Sequence, residues 1–353
     1  MGATETTTSA SLDASFASDN VAGVSPEILE ALQRANSGAA LPYGGDRESA
    51  HLREWAKAEF GEQAEILPVF NGTGANVVSL QALLPRWGAA ICTEEAHVNN
   101  DEGAAPERLG AIKLLPLASQ DGRLTPEDVQ AATARRGDVH AAQALAVTLT
   151  QSTELGTLYT PEQIAALTET AHSAGLGVHM DGARISNAAS ALGTSLAALT
   201  TDVGVDVLSL GGTKNGALAA EAVVVINPER VPGVEYIHKY SMQLASKQRF
   251  VAAQLLELFG TDLWRTNAAH ANAQARVLAE GLASLEGVTL ARPTAVNAAF
   301  PEMPVEMAAR IQSRYLAHTW ETAPSGLPVL RIMCSFATTD AQISELLQVA
   351  RGA

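Results

Sequence analysis

Short apolar runs recur along the first two-thirds of the chain, and segments with helical spacing separate most of them. Several runs, such as AVTL at 146–149 and VVVI at 223–226, are apolar throughout, which is typical of strands buried on both faces of a parallel sheet. The helical segments between them predict βαβ units and an α/β fold with a doubly wound sheet. The predicted strands are 66–70, 89–92, 112–115, 144–149, 176–180, 205–210 and 222–226.

Two of the intervening helices have clear start signals. The segments TPED at 125–128 and TPEQ at 160–163 each place a threonine before a proline, with Asp128 or Gln163 three positions after that threonine. The threonine caps the first turn, and proline fits the first helical position because it has no N–H to leave unpaired. We therefore expect helices to begin at residues 126 and 161.

The strand and helix alternation stops around residues 228–240, and this is where we expect the chain to change domain. A long helical pattern follows over 242–259, then helices around 262–285 and 304–316 with short strands near 288–290 and 329–334. The sequence thus predicts a frayed N-terminus over 1–15, a large domain with an N-terminal arm over 16–240, and a linker helix with a small α+β domain over 241–353.

The composition narrows the class of protein. The 353 residues are 47% hydrophobic and 17% charged, which suits a folded chain of about two domains. The net charge of −15 argues against a nucleic-acid partner. Cys92 and Cys334 are too few and too far apart for a zinc motif or a disulfide framework, so we expect a cytoplasmic protein with no metal site. An export signal or membrane-length apolar segment is absent, so no membrane partner is expected.

The segment NGTGAN at 71–76 joins a predicted strand to an apolar helical pattern. Gly72 and Gly74 let the backbone approach a ligand, and the start of the helix offers free N–H groups. This turn therefore predicts a phosphate site. A tight structural turn is the simpler alternative. A dinucleotide site is another, with Glu94 at 22 residues beyond Gly72, although Val77 stands where that motif requires a third glycine.

Two further motifs follow strands of the predicted sheet. Asp181 and Arg184 lie in HMDGAR, where α/β sheets build their ligand crevice, and the Asp181 carboxylate could keep a heterocyclic nitrogen protonated. A helix-capping aspartate is the alternative. Lys214 lies among small residues in GGTKNG, where a desolvated amine could form a Schiff base, the alternative being an exposed loop lysine. Along the chain, the predicted phosphate loop comes first, Asp181 second and Lys214 third. Pyridoxal phosphate requires motifs in this order.

These motifs resemble the low-specificity L-threonine aldolases, which are pyridoxal-phosphate enzymes of the aspartate-aminotransferase fold (fold type I). The resemblance runs from about residue 16 to near the C-terminus, and HMDGAR with GGTKNG is its most specific part. Further matching segments are SDN at 18–20, YGGD at 43–46, EAH at 95–97 and SKQRF at 246–250. The resemblance implies a large domain whose mainly parallel seven-stranded sheet is sandwiched by helices, and a smaller C-terminal α+β domain.

The resemblance also implies roles for the residues around pyridoxal 5′-phosphate. Lys214 would carry the cofactor, and Asp181 would pair with its ring nitrogen. Gly72, Thr73 and Asn76 match the family's phosphate loop. His97 matches the ring-stacking histidine and could also transfer protons, the alternative being an ordinary loop or core histidine.

A second group of residues would bind the amino-acid substrate. Arg184 and Arg331 match the arginines that hold the substrate carboxylate, and Ser18 lies near the same group; Arg184 would also contact the cofactor. For Arg331, a solvated arginine on a strand is the alternative. Lys247 and Arg249 could reach a neighbouring subunit's phosphate or could form a solvated helix face.

The sequence departs from the family at one position. Many relatives carry a histidine shortly before the glycine that corresponds to Gly156, and here Thr153 stands near that position. If the histidine takes the proton of the substrate hydroxyl in those relatives, another base must do so here, either His97 or a water. The departure leaves open the preferred β-hydroxy amino acid and the threo/erythro selectivity.

The implied reaction is retro-aldol cleavage of L-threonine or L-allo-threonine to glycine and an aldehyde. The alternatives are a phenylserine-type aldolase, another pyridoxal-phosphate lyase acting by β-elimination, a nicotinamide dehydrogenase, and a non-catalytic regulator that keeps the fold. The family's sites lie at subunit interfaces, with residues 43–46 reaching toward the neighbour. We therefore expect at least a homodimer, and a homotetramer as the full assembly.

Overall fold

The computed structural model describes residues 12–352, so residues 1–11 of the segment expected to be frayed lie outside the described part. The helices are α1 (Pro26–Ala35), α2 (Arg47–Phe60), α3 (Gly72–Leu83), α4 (His97–Asn100), α5 (Ala105–Arg108), α6 (Pro126–Ala132), α7 (Pro161–Ser173), α8 (Ile185–Leu192), α9 (Val234–Tyr240), α10 (Arg249–Phe259), α11 (Leu263–Ala283), α12 (Val305–Arg314) and α13 (Asp340–Arg351).

Strands in the first two-thirds of the chain form one sheet, and the later strands form a second. The first set is β1 (Glu65–Val69), β2 (Gly88–Thr93), β3 (Lys113–Leu117), β4 (Gln143–Thr150), β5 (Gly177–Gly182), β6 (Val207–Gly211) and β7 (Glu221–Val225). The second set is β8 (Thr289–Leu290), β9 (Ala298–Ala299), β10 (Pro301–Glu302), β11 (His318–Thr322) and β12 (Pro328–Met333). Each of the seven strands predicted in the large domain overlaps one strand of the first set.

The seven-stranded sheet has the order β1-β7-β6-β5-β4-β2-β3. Its pairs are parallel except those of β7, which runs antiparallel to both β1 and β6. Only residues 212–220 separate β6 from β7, too few for the crossover that a parallel pair needs, so β7 must run the opposite way. The predicted fold class, α/β with a mainly parallel sheet, is confirmed.

Helices cover both faces of this sheet, which explains the continuously apolar strands. In β7, Val224 packs into a large core with α2, α7, α8 and α10, whereas Val223 and Val225 pack into a separate core with α3 and α9. At the two predicted start signals, Thr125 and Thr160 each accept a hydrogen bond from the third residue of the helix and complete a capping box. Both predicted helix starts are confirmed.

The C-terminal part of the chain has its own antiparallel sheet and hydrophobic core. Helices α11, α12 and α13 pack on this sheet, with β12 at its centre. Phe16 enters the core and contacts Tyr315, with ring centroids 5.5 Å apart. The backbone N–H of Asp13 donates to the carbonyl of Arg314 at 2.9 Å, so residues 13–16 are attached to this part of the molecule.

The long helix expected over 242–259 is wrong in its first half. Helix α9 ends at Tyr240, Met242 adopts a left-handed conformation (φ 63°), and α10 begins only at Arg249. The side chain of Gln243 turns back to accept a hydrogen bond from the Phe70 N–H at 3.1 Å. A long-range contact therefore replaces the helical conformation that the local pattern favours. Within residues 12–352, no helix is long and apolar enough to span a membrane.

Candidate active site

The predicted cofactor residues line one cavity of about 260 Å³ at the ends of the central strands. Gly72, Thr73 and Asn76 lie on α3, Asp181 on β5, and Lys214 on the turn after β6. His97 and Arg184 also line the cavity. The structure thus brings together every residue expected to contact the cofactor.

One end of this cavity is the first turn of α3. The Asn71 side chain caps the helix by accepting a hydrogen bond from the Gly74 N–H at 2.7 Å, and the cap leaves the first turn's other N–H groups available. A Cβ at Gly74 would lie 2.4 Å from the Gln243 side chain, so that side chain would have to move and release its hydrogen bond with the Phe70 N–H. The close approach of Gln243 therefore favours glycine at this position.

Asp181 is buried and held in a fixed orientation. Its Oδ1 accepts a hydrogen bond from the Ala183 N–H at 3.0 Å, and its Oδ2 accepts one from the Asn76 amide at 2.8 Å. Burial by itself raises the pKa of Asp181, but the positive charge of Lys214 and these hydrogen bonds lower it below its ordinary value. The carboxylate is therefore ionised at neutral pH and can keep a facing ring nitrogen protonated.

His97 and Asn76 are linked through a buried carboxylate that sequence reasoning missed. Glu102 Oε1 accepts from the Asn76 amide at 2.8 Å and lies 3.0 Å from Nδ1 of His97. This hydrogen bond is the largest contribution that raises the pKa of His97. Glu102 lies five residues beyond His97 in a short loop, and no local pattern distinguishes it from a solvated acid.

Lys214 lies on the single turn Thr213–Asn215, close to other charges. The charge of Arg184 and partial burial lower its pKa, against the opposing effect of Asp19 and Asp181. Glu221 accepts hydrogen bonds from the N–H groups of Gly212 and Thr213, at 2.9 and 3.3 Å, and so fixes the backbone of this turn. A lysine with a lowered pKa is a better nucleophile, as Schiff-base formation requires.

Arg184 forms a bidentate pair with Asp19, another residue to which the sequence assigned no role. Its Nε and one terminal nitrogen donate to the two Asp19 oxygens at 2.6 and 2.9 Å. The Asn297 amide also donates to Asp19, at 3.1 Å, and joins the C-terminal part of the chain to the site. Two of the Arg184 nitrogens are thus already engaged, which leaves one terminal nitrogen for a ligand.

A second cavity, of about 340 Å³, adjoins the first and shares Lys214, Arg184, His97 and Glu154 with it. Ser18 and Arg331 line this second cavity, as the sequence predicted for substrate contacts. The guanidinium of Arg331 lies 4.6 Å from the centre of the Trp320 ring, and its Nε has no hydrogen-bond partner within the described residues. The first cavity suits a cofactor, and the second is a place for a small ligand with a carboxylate.

A known protein family and several known proteins match most of this chain. The family model "Beta-eliminating lyase" matches residues 15–305. A low specificity L-threonine aldolase of Pseudomonas aeruginosa is 39% identical over 95% of this chain and 96% of its own length, and one from another Pseudomonas strain is 37% identical over 94% and 95%.

The chain belongs to the beta-eliminating lyase family. Among solved structures, the threonine aldolase of Leishmania major has a TM-score of 0.90 and 26% identity, covering 96% of this chain and 99% of that one. The family, the fold class and the enzyme class predicted from the motifs are thereby confirmed: the protein is a lyase of the threonine aldolase type.

The site residues of this lyase fit pyridoxal 5′-phosphate by their chemistry. The helix start at Gly72 and Thr73 supplies donors for a phosphate, Asp181 supplies a buried carboxylate for a ring nitrogen, and Lys214 supplies the amine. The Asn76 Oδ1 is buried and has no partner within the described residues, so it can still accept a hydrogen bond. This cofactor needs hydrogen-bond donors, an acid and a lysine around one cavity, and the first cavity provides all of them.

Two of the residues discussed from the sequence lie outside both cavities, and a third lines the second cavity with its hydroxyl engaged. Lys247 and Arg249 do not line either cavity, and Arg249 donates to the Gly38 carbonyl at 3.0 Å. Thr153 lines the second cavity, but its hydroxyl is engaged with that of Thr157 at 2.7 Å. The hydroxyl of Thr153 is therefore not available in place of the histidine that many relatives carry nearby.

Proposed function

We propose that the protein cleaves L-threonine and L-allo-threonine to glycine and acetaldehyde, with pyridoxal 5′-phosphate held in the first cavity and the amino acid in the second. The observation that carries this proposal is the position of Lys214, which lines both cavities close to the charges of Asp181 and Arg184. The family membership supports the same activity and the same cofactor.

Each side chain has a task that follows from its surroundings. The N–H groups at Gly72 and Thr73 would bind the phosphate, and Asp181 would keep a proton on the ring nitrogen. When bound, the cofactor supplies an electron sink for the pair left on the substrate's α-carbon. His97 would contact the ring, and its orientation is set by the hydrogen bond to Glu102.

The substrate carboxylate would lie between the arginines of the second cavity. Arg331 is partly buried, and the charge of Arg184 adds to desolvation in lowering its pKa, although an arginine remains protonated at any physiological pH. An anionic ligand would relieve the repulsion between these two guanidinium groups. Ser18 would contribute a hydroxyl at the same end of the cavity.

The proposal also covers assembly, domains and location. Apolar side chains at Leu41, Tyr43, Tyr236, Tyr240 and Met242 are all more than half exposed, which supports burial in a homodimer or homotetramer. We propose a cofactor domain over 16–240 and a smaller part over 241–353, with α10 packed in the core of the first and Phe16 in the core of the second. We propose that the protein is cytoplasmic. We also propose that Lys247 and Arg249 could reach the cofactor phosphate of a neighbouring subunit. Light scattering on the purified protein measures the assembly.

Lys214→Ala tests the proposed activity directly. We expect wild-type protein to release glycine and acetaldehyde from L-threonine and to show the visible absorbance of lysine-bound cofactor, and we expect the variant to lose both. Lys57→Ala, exposed on α2, is the matched control for removing a lysine charge outside both cavities. Release of pyruvate and ammonia instead would identify β-elimination, and a panel with allo-threonine and phenylserine would establish the preferred substrate.

A further inference from the structure

Glu154 is a carboxylate in the site to which neither the motifs nor the proposed roles assign a task. It follows β4 and lines both cavities. Its Oε1 accepts hydrogen bonds from the His97 backbone N–H at 2.7 Å and from the Thr150 hydroxyl at 3.2 Å. Its Oε2 is shielded from solvent and has no hydrogen-bond partner within the described residues. An unpaired buried oxygen costs free energy, so a bound ligand that donates to it would be favoured.

The groups packed around Glu154 come from several elements. Asp181 on β5 faces it with a negative charge, and Arg184 with a positive one, while His97, the Cys92 thiol of β2 and Tyr159 complete its titratable neighbours. Burial, with a smaller contribution from Asp181, raises the pKa of Glu154 to about 7. A carboxyl group with such a pKa can both accept and return a proton at neutral pH.

The other candidates for a proton acceptor in the substrate cavity are less suitable. The hydrogen bond to Glu102 raises the pKa of His97, so at a given pH a smaller fraction of this imidazole is free to accept a proton. Asp101 and His318, which also line this cavity, are exposed to solvent, and the Thr153 hydroxyl is engaged with that of Thr157. The arginines stay protonated, and Lys214 is needed to carry the cofactor.

We propose that Glu154 is the base that takes the proton from the substrate's β-hydroxyl group, a role that rests on the proposed aldol cleavage. The O–H proton passes to the Glu154 carboxylate, and the O–H electron pair becomes the second bond of the aldehyde C=O. The Cα–Cβ bond breaks, and its electron pair stays with Cα. Cα then takes up one proton and the carboxyl group releases one, so glycine and the aldehyde together contain all the atoms of the substrate.

Glu154→Gln separates this role from a structural one, because the amide oxygen can still accept from His97 and Thr150 but cannot act as a base. We expect kcat for L-threonine to fall by about 10²- to 10⁴-fold, the usual contribution of a general base. Exchange of the glycine α-proton with solvent deuterium involves no β-hydroxyl, so it should continue near the wild-type rate. Cofactor affinity, from fluorescence titration of the cofactor-free protein, should also be unchanged. Glu169→Gln, on the exposed face of α7, is the matched control.

A titration gives a second readout that does not use the loaded enzyme. In cofactor-free wild-type protein, burial raises the pKa of both Glu154 and Glu221 to about 7, so the infrared band of protonated carboxyl groups should disappear as the pH rises through this value. In Glu154→Gln only the part of the band that belongs to Glu221 should remain. In the wild-type enzyme, kcat should rise with pH over the same range, because only the ionised carboxylate accepts a proton. This acidic limb should be absent from the residual activity of Glu154→Gln.

Cleavage by Glu154→Gln at the wild-type rate would overturn the proposal. An equal loss of cleavage and of glycine exchange would also overturn it, because such a loss indicates a role in cofactor binding or folding. If Glu154→Gln does not fold, Glu154→Asp is the second variant, because it keeps a carboxylate. It should cleave more slowly and retain the acidic limb of the pH profile. Loss of that limb in Glu154→Asp would overturn the proposal. Failure of the proposed function is recognised separately, because wild-type protein would then exchange the glycine proton without cleaving L-threonine.

Discussion

The two adjoining cavities of the site are built in different ways. The first is lined mainly by the ends of neighbouring strands in one sheet and by the first turn of α3, so most of its residues lie in short strand-loop motifs. The second draws residues from distant parts of the chain: Ser18 near the N-terminus, Arg184 after β5, and Trp320 and Arg331 on β11 and β12. A local sequence pattern can predict the first kind of site. The second forms only when the two parts of the molecule, each with its own hydrophobic core, are in contact.

The chemistry differs in the same way. In the first cavity, Asp181 is fixed by Ala183, two residues further along the chain, and by Asn76 on α3, which packs on the same sheet. In the second, Arg184 is fixed by Asp19, which Asn297 holds from the C-terminal part of the chain. Substitutions in the first cavity should therefore act on the cofactor and on kcat, and those in the second on substrate binding.

Asp181→Asn should have the largest effect among the substitutions that separate the cavities. An amide cannot keep the ring nitrogen protonated, so we expect kcat to fall by about 10²- to 10³-fold, the scale of lost electrostatic stabilisation in active sites. The KM for L-threonine should change little, which steady-state kinetics would show. Asp202→Asn, outside both cavities, is the control. A rise in KM with kcat preserved would contradict the assignment of Asp181 to the cofactor.

Arg331→Lys should act in the opposite sense. Lysine keeps the charge but loses the planar pair of donors that matches a carboxylate. We expect KM to rise by about 10- to 100-fold, the equivalent of one hydrogen bond to a charged group, with a smaller change in kcat. Cofactor absorbance should stay the same. Arg314→Lys, which is exposed on α12, serves as the control; an unchanged KM in Arg331→Lys would support the alternative of an ordinary strand arginine.

Glu102→Gln should have the smallest effect on activity and the clearest spectroscopic one. The Glu102 hydrogen bond raises the pKa of His97, so the substitution should lower that pKa, and the imidazole should lose its proton at a lower pH. A raised histidine pKa stabilises the fold at low pH, and this contribution is lost as the pH rises through the folded-state value. The variant should therefore lose stability mainly at acidic pH.

NMR titration of the His97 ring protons measures this shift, and thermal unfolding across the same pH range measures the linked stability. Glu107→Gln in the nearby α5 gives a matched control outside the hydrogen-bond network. A His97 pKa that does not move in Glu102→Gln would mean that Asp181, rather than Glu102, dominates the electrostatics of this histidine.

Most of the fold could be predicted because its strands are buried on both faces. A continuously apolar run bounded by polar segments has few alternatives in a chain of this composition, and several of the seven correctly predicted strands are runs of this kind. The helix over 242–248 could not be rejected from its pattern, because a distant contact between Gln243 and Phe70 decides the local conformation. The antiparallel direction of β7 likewise depends on how the strands pair.

The sequence by itself determined the α/β class, the family, the cofactor type and the order of the cofactor-binding motifs, because these features are carried by residues close together in the chain. Only the tertiary structure showed that Asp19 engages Arg184, that Glu102 links His97 to Asn76, and that Glu154 lies between the two cavities. These carboxylates look like solvated acids in the sequence. Burial and partners from distant segments change their pKa and their role, and neither is visible before the chain is folded.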